Sequence, residues 1–370
     1  MKVAIVHDDL MRRGGAEQVV LSMLKAFPAA DVYTMCYRPE LTYPEFAAFK
    51  IRTSLFNIIA KSEKVMKLLF FPIGLICMKL LSIKGYDIVI ISSTYSAKYV
   101  SIEKSSLVFI YTYTPFRLAW APSSYTEYSN SKGLVRFFLN HLIKILRWVD
   151  AREAKKGHYH LSMTKETAER VKKAYGVREV SIVSPPVKCT NFSLSTLRSD
   201  NPYYLIVSRL EYYKNVDLAI KAFNKLGFRL IVVGNGSKKN ELISMSLENI
   251  EFKSGLSKEQ LAGLYSNCKA FIFPQYEDYG ITPLEANASG KPVIAYGKGG
   301  VLETMIPYDG TSNDFTSIFF MEQSEASLIE AIKQFENLEP NSQFIRMHAE
   351  KFDEPIFVEK IRGFIISKLA

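Results

Sequence analysis

From Val3 onward the chain alternates short apolar runs, rich in β-branched residues, with longer stretches of helical periodicity. Parallel sheets demand this pattern, because each strand must be followed by a crossover, usually a helix, before the next strand can pair. Strand-like runs in the first half are Val3–Val6, Asp31–Met35, Ile88–Ser92, Leu107–Tyr111 and Tyr159–Ser162. Those in the second half are Tyr204–Val207, Leu230–Val233, Ile250–Phe252, Ala270–Phe273, Val293–Ala295 and Ile318–Phe320. Helical stretches lie between them at Gly15–Phe27, Leu134–Lys156, Lys165–Tyr175, Asn215–Leu226, Lys258–Cys268 and Pro283–Ser289, and another closes the chain at Pro355–Leu369. The expected class is α/β, with two doubly wound domains.

Two domains are expected because 370 residues exceed what one hydrophobic core usually organises. The Pro-, Ser- and Asn-rich stretch from Ser184 to Pro202 is the best linker. We therefore expect an N-terminal domain over residues 1–190 and a second over 191–352, with residues 353–370 as a helix that crosses back to the first. Hydrophobic residues make up 48% and charged residues 23%, which excludes a disordered or collagen-like chain. Cys36, Cys77, Cys189 and Cys268 are too far apart in sequence for a zinc or redox motif, and a reducing, cytoplasmic compartment suits them. The opening MKVAIVHDD enters a strand pattern at once, so no signal peptide is expected. The longest apolar run, Leu68–Met78, is too short for a membrane span.

Residues able to do chemistry gather at strand-to-helix turns, where α/β sheets bind ligands. His7 ends the first strand, and Gly14 and Gly15 precede the first helix, whose N–H groups could receive an anion; an ordinary turn explains the glycine pair as well. The turn is not the GxGxxG fingerprint, which disfavours a nicotinamide or flavin cofactor. Arg209 follows a strand and Lys214 precedes a helix, a pairing that suits a diphosphate, although a solvated basic loop is the plainer reading. Gly234 and Asn235 form a second small-residue turn. The most informative stretch places Glu277 and Glu285 eight residues apart around Gly280-Ile281-Thr282-Pro283. Gly280 and the amides of Ile281 and Thr282 could take phosphate oxygens, Glu285 on a first helical turn could accept ribose hydroxyls, and Glu277 could face a sugar.

These residues carry a resemblance. GGAE at 14–17, TYTPFRLAW at 112–120, SRLEYYKNVDLAIKAF at 208–223, GNG at 234–236 and the segment from Glu277 to Glu285 with GKPVIAYGKGGVLET resemble the retaining glycosyltransferases of family four. Their architecture, GT-B, has two Rossmann-like domains facing a central cleft. The wording EDYGITPLEANASGKPVIAYGKGG is similar to bacterial mannosyltransferases of polysaccharide and O-antigen assembly that use GDP-mannose. The resemblance implies that Arg209 and Lys214 hold the donor diphosphate and that Glu277 contacts the transferred sugar. It also places Glu285 on the ribose, and Gly14 and Gly15 beside the diphosphate and acceptor. The family often has His in an HTP segment; here Tyr113 stands at that position, and a phenol can donate a hydrogen bond but cannot become a cation. Arg117 and Trp120, just beyond, are candidates for acceptor contact.

The resemblance further implies a glycan or lipid-linked oligosaccharide acceptor and no required cofactor or metal, since cations and helix N-termini can stabilise the departing nucleotide. A UDP-sugar donor is the nearest alternative, and a non-catalytic sugar-nucleotide or glycan-binding subunit is another. The net charge of +10 sits in the first half: residues 1–190 hold 28 Lys/Arg against 15 Asp/Glu. Two segments there, KSEKVMKLLFFPIGLICMKLLSIK and LVRFFLNHLIKILRWVDAREAKK, interleave cations with apolar side chains. They read equally as surfaces for anionic lipid, peripheral on the inner face of the plasma membrane, or as core helices with solvated edges. No nucleic-acid motif accompanies the charge.

Overall fold

The computed structural model describes residues 1–62, 65–66, 69–194 and 201–369, which form two compact units. Unit 1 is Met1–Ser184 with Phe357–Ala370, and unit 2 is Pro185–Ile356. The chain leaves unit 1 at the start of the Pro-rich stretch and returns within its last helix; residues 195–200 of that stretch lie outside the described ones.

Among its described residues unit 1 carries nine strands: β1 Val3–His7, β2 Asp31–Thr34, β3 Ile51–Thr53, β4 Ser82–Ile83, β5 Ile88–Ser93, β6 Ser101–Ile102, β7 Leu107–Thr112, β8 Tyr159–Ser162 and β9 Ser181–Ile182. Seven form one parallel sheet in the order β3-β2-β1-β5-β7-β8-β9, and β4 pairs separately with β6. β1 and β5 are buried along their whole lengths, as strands covered on both faces must be, which explains the apolar runs Val3–Val6 and Ile88–Ile91. Val3 lies beside Ile88 and His7 beside Ser92. The core takes Ala4, Val6, Val89, Ile91, Val108 and Ile110 from the sheet and Leu146 from the helix Gly133–Ala154. The last helix, Glu354–Ile366, buries Phe357, Ile361 and Ile365 at four-residue spacing, and its Phe364 ring meets Phe109 edge-on at 6.2 Å.

Unit 2 carries β10 Tyr204–Val207, β11 Leu230–Val233, β12 Ile250–Lys253, β13 Phe271–Phe273, β14 Val293–Tyr296 and β15 Ser317–Phe320, all parallel in the order β12-β11-β10-β13-β14-β15. The helix Val216–Leu226 buries Val216, Ala219, Ile220 and Phe223 against this sheet. Strand order reverses between β1 and β5 in unit 1 and between β10 and β13 in unit 2, so both sheets are doubly wound with a switch point at a carboxyl edge.

The longer helices fall where periodicity places them, Lys165–Tyr175 to the residue. Strands β3, β4, β6 and β9, of two or three residues, carry too short a pattern to read. The helices Leu75–Leu80, Lys239–Ser244, Glu325–Phe335 and Ser342–Glu350 are also additions to the sequence expectation.

Candidate functional site

In unit 2 the loop after β10 descends through Ser208, Arg209 and Leu210 to the turn Tyr212–Lys214. Asn215 then adopts a left-handed conformation (φ 50°), which Asn tolerates better than most residues, and starts the helix Val216–Leu226. The reversal sends Lys214 toward Glu277 in the loop after β13, and the ammonium donates to the Glu277 carboxylate. Both side chains are largely buried, 12% and 21% exposed, so the pair is shielded yet reachable. Arg209 is exposed and donates to the Tyr213 hydroxyl. The Tyr213 ring lies 5.8 Å from the guanidinium and 5.2 Å from the Lys214 ammonium, so one aromatic ring serves both cations. Tyr213 thus links the two predicted cations, a role the sequence reading missed.

The Glu277 loop is held from behind by β14's own turn. Gly300 N–H donates to Glu277 O at 2.9 Å, and a Cβ on Gly300 would stand 2.4 Å from Tyr279 Cα. Only glycine fits there, which is the reason for the GKGG wording at 297–300. Gly280 follows with φ 93° and begins the helix Ile281–Ala288, whose leading amides, Ile281 and Thr282, have no acceptor within their own helix. The helix begins one or two residues earlier than expected. Glu285 is therefore its fifth residue, on the second turn rather than the first. Its carboxylate accepts from the buried Tyr265 hydroxyl at 2.7 Å. Burial raises the Glu285 carboxyl above its ordinary range, against the opposing pull of that hydroxyl.

Gly234 and Asn235 pack on the Arg209 loop. Leu210 N–H donates to Asn235 O at 2.9 Å, and a Cβ on Gly234 would stand 1.9 Å from Ser208 O. The glycine is required by this backbone packing, which fixes the base of the Arg209 loop.

In unit 1 the carboxyl ends of β1 and β5 converge. His7 Nδ1 lies 3.0 Å from Ser92 Oγ, which lies 2.9 Å from the Tyr113 hydroxyl, and that hydroxyl donates to Ala16 O at 3.2 Å. On its other side His7 Nε2 lies 3.9 Å from Glu17. Burial opposes the charged imidazole, but Glu17, with Asp8 and Asp9 behind it, outweighs that and raises the His7 pKa above 6.5. Glu17 also accepts from Gly14 N–H at 3.0 Å, so the anion at this helix N-terminus comes from the chain itself. Gly15 opens the helix Gly15–Ala26. Arg12 Nη2 donates to both Asp9 carboxylate oxygens at 2.9 and 3.0 Å, and Tyr95 donates to Asp9 at 2.5 Å. Asp8 accepts from the amides of Thr94, Tyr95, Ser96 and Ala97, which locks the β5 turn to β1. Asp8, Asp9, Glu17 and Tyr95 escaped the sequence reading; Glu17 alone left a signal, as a carboxylate three residues after a helix-capping glycine.

Arg117 is half-buried at the head of the helix Arg117–Trp120. The Trp120 indole N–H donates to buried Asp150 at 2.8 Å, and its ring meets Tyr175 edge-on. Among the described residues no group of three or more His, Cys, Asp or Glu is placed to hold a metal, and no helix is long and apolar enough to cross a membrane. The basic segment from Lys61 to Lys84, of which residues 63, 64, 67 and 68 lie outside the description, sends Met66, Phe70, Cys77 and Met78 into the core.

Residues 190–352 match the family described as glycosyl transferases group 1. The α-1,3/1,6-mannosyltransferase ALG2 of Candida glabrata is 29% identical over 38% of this chain and 37% of its own length. The ALG2 of Dictyostelium discoideum is 31% identical over 32% and 37%. A glycogen synthase of Elusimicrobium minutum is 26% identical over 48% and 40%. The chain thus spans about two fifths of the length of the curated relatives it matches. Among solved structures, sucrose-phosphate synthase from Thermosynechococcus elongatus shares the fold with a TM-score of 0.72 at 14% identity, covering 100% of this chain and 99% of that one. Anabaena HepE, solved with UDP, has a TM-score of 0.72 at 14% identity, covering 99% and 100%. The two units are the paired α/β domains of the GT-B fold, and residues 190–352 are similar to the glycosyl transferases group 1 family.

Proposed function

We propose that the chain is a retaining glycosyltransferase that moves mannose from GDP-mannose to a hydroxyl of a growing polysaccharide or lipid-linked oligosaccharide. The observation that carries this reading is the meeting of Lys214, Arg209 and Glu277 at the carboxyl edge of the unit 2 sheet, ahead of the Ile281–Ala288 helix. As the anomeric bond breaks, negative charge collects on the nucleoside diphosphate. Cations fixed at that point stabilise the charge more in the transition state than in the bound donor. Arg209 can fork onto two phosphate oxygens, Lys214 supplies a compact charge, and the first amides of the helix add an oriented dipole. A phosphate that takes up Lys214 leaves the Glu277 carboxylate to accept from a sugar hydroxyl. In this reading Glu285 takes the ribose, Gly234 and Asn235 bound the nucleotide pocket, and unit 1 receives the acceptor near Gly14, Gly15, Tyr113 and Arg117. The transfer runs without a bound metal, at the cytoplasmic face of a membrane.

Mannose is favoured by the two ALG2 relatives. The glycogen synthase among the relatives supports a second reading, the same chemistry with another donor such as a UDP-sugar. A thermal-shift titration with GDP, GDP-mannose, UDP and UDP-glucose decides between them, because a ligand that binds only the folded state raises its melting temperature. A shift selective for the guanine ligands is expected. A uridine-selective shift overturns the GDP-mannose assignment, and no shift with any of the four overturns the nucleotide-sugar site.

A further inference from the structure

The helix Gly133–Ala154 is apolar on two opposite faces. Ile143, Leu146, Asp150 and Ala154 point into unit 1 and are buried. Opposite them, Leu134, Phe138, His141, Ile145, Trp148 and Arg152 recur at alternating spacings of four and three, which puts them on one stripe about 27 Å long. All six are exposed, and the four apolar ones lie between 56% and 76% open to solvent. Val135 and Phe137 widen the stripe at its start. A soluble surface helix keeps this side polar, and a patch of such size marks an interaction surface.

The charges around the stripe say what covers it. Lys132, Lys144, Arg147, Arg152 and Lys155 are all exposed. The helix has two acids, Asp150 and Glu153, and both are buried: Asp150 faces Lys98 at 2.9 Å, and Glu153 is held by Lys79 and Lys156. The outward face is therefore apolar and purely cationic. A second copy of this chain laid along it would set like charges against each other with no exposed acid on the helix to answer them. An anionic bilayer answers both features at once, taking the apolar stripe at the acyl boundary and the cations at its headgroups. Trp148 is suited to that boundary, and the Arg152 guanidinium lies over its ring at 5.4 Å. On one flank His141, Lys144 and Arg147 border a groove of about 340 Å³ in which a lipid phosphate would meet two cations.

We propose that the exposed stripe of the Gly133–Ala154 helix is a monotopic binding face for anionic phospholipid, with the helix lying in the plane of the interface. The proposal stands apart from the donor assignment, since it uses none of the same residues. Co-sedimentation of the full chain with vesicles of phosphatidylcholine, with and without phosphatidylglycerol, tests it. Binding is expected only with phosphatidylglycerol, weakening as salt is raised, with a blue shift of tryptophan emission that Trp148→Phe removes while binding persists. Phe138→Glu with Trp148→Glu should lower vesicle affinity at least about tenfold, and Lys144→Gln and Arg152→Gln about fivefold each. The nucleotide-induced thermal shift should be unchanged in every variant, which confirms their fold and separates this result from the donor reading. Absence of vesicle binding by the unmodified chain overturns the proposal. So does binding indifferent to both sets of substitutions, or a dimer by light scattering that Phe138→Glu dissolves in a protein that ignores vesicles.

Discussion

The Lys214 ammonium meets the Glu277 carboxylate across 63 positions of sequence, joining the loops after the two central strands of the unit 2 sheet. Without ligand the pair neutralises itself, and a bound diphosphate competes for the lysine. Lys214→Ala and Glu277→Ala should therefore each reduce kcat/KM by about a hundred- to a thousand-fold. The partly hydrated pair adds less than about 1 kcal/mol to stability, so melting temperatures should barely move. The double variant should be no slower than the worse single one, because groups that act as a unit do not lose activity additively. Near-normal rates in either single variant would remove this pair from the site.

Gly300 offers a test of the scaffold behind the site. Its N–H bonds Glu277 O, and a Cβ would sit 2.6 Å from Asp278 O as well as against Tyr279 Cα. These neighbours are backbone and cannot swing aside. Gly300→Ala should cost about 1–3 kcal/mol in urea unfolding and displace Glu277, so activity should fall together with stability. Gly263→Ala is the control: its Cβ would meet nothing within 4 Å, and it lies mid-helix, where Ala is the better helix former.

The contrast between Gly300 and Tyr95 shows how much of this molecule was legible in its sequence. Apolar periodicity placed the main strands and long helices, because burial on both faces forces a continuous pattern that survives without a structure. Arg209, Lys214 and Glu277 were legible because strand ends and helix starts define an edge, and charged residues at an edge are few. Partners far away in sequence were not: Asp8 finds its amides 86 to 89 residues on, and Tyr95 finds Asp9 86 residues back. No local pattern encodes such pairs. The partner of Trp120 was hidden for the same reason: its indole N–H donates to Asp150, 30 residues away. Glu325–Phe335 was legible in principle, with Ser324 as its cap and Leu328, Ala331, Ile332 and Phe335 on one face.

Two buried histidines of unit 1 should give stability opposite dependences on pH. Burial pulls His160 down to about 4, so between that value and about 6.5 the unfolded chain binds a proton that the folded one refuses. Stability from this group is full above about pH 6.5 and falls as pH drops toward 4, by on the order of 3 kcal/mol. His7 is raised despite its burial, so its contribution is full below about 6.5 and is lost as pH climbs through the raised native value. Urea unfolding followed across pH should show both limbs. His160→Gln should flatten the acid limb and Glu17→Gln the alkaline one; unchanged limbs would contradict the assignment.

Lys98 and Asp150 form an ion pair with side chains 1% and 0% exposed. Asp150 also accepts from the Tyr99 hydroxyl at 2.7 Å and the Trp120 indole at 2.8 Å, while the Lys98 ammonium lies over the rings of Tyr99 and Tyr175. Burial opposes the charged lysine, but Asp150 outweighs it and raises the ammonium above its ordinary range. Removing one partner strands the other charge where water cannot reach it. Asp150→Leu should therefore cost about 3–5 kcal/mol, more than any exposed pair on the surface. Lys98→Met should cost a similar amount for the converse reason. Their combination, Lys98→Met with Asp150→Leu, removes both charges and should recover most of the loss, leaving the donors of Tyr99 and Trp120 as the residual penalty. Urea unfolding of the three variants measures this coupling directly. A double variant as unstable as the sum of the singles would mean that the network is held by its hydrogen bonds to Tyr99 and Trp120 rather than by its charges.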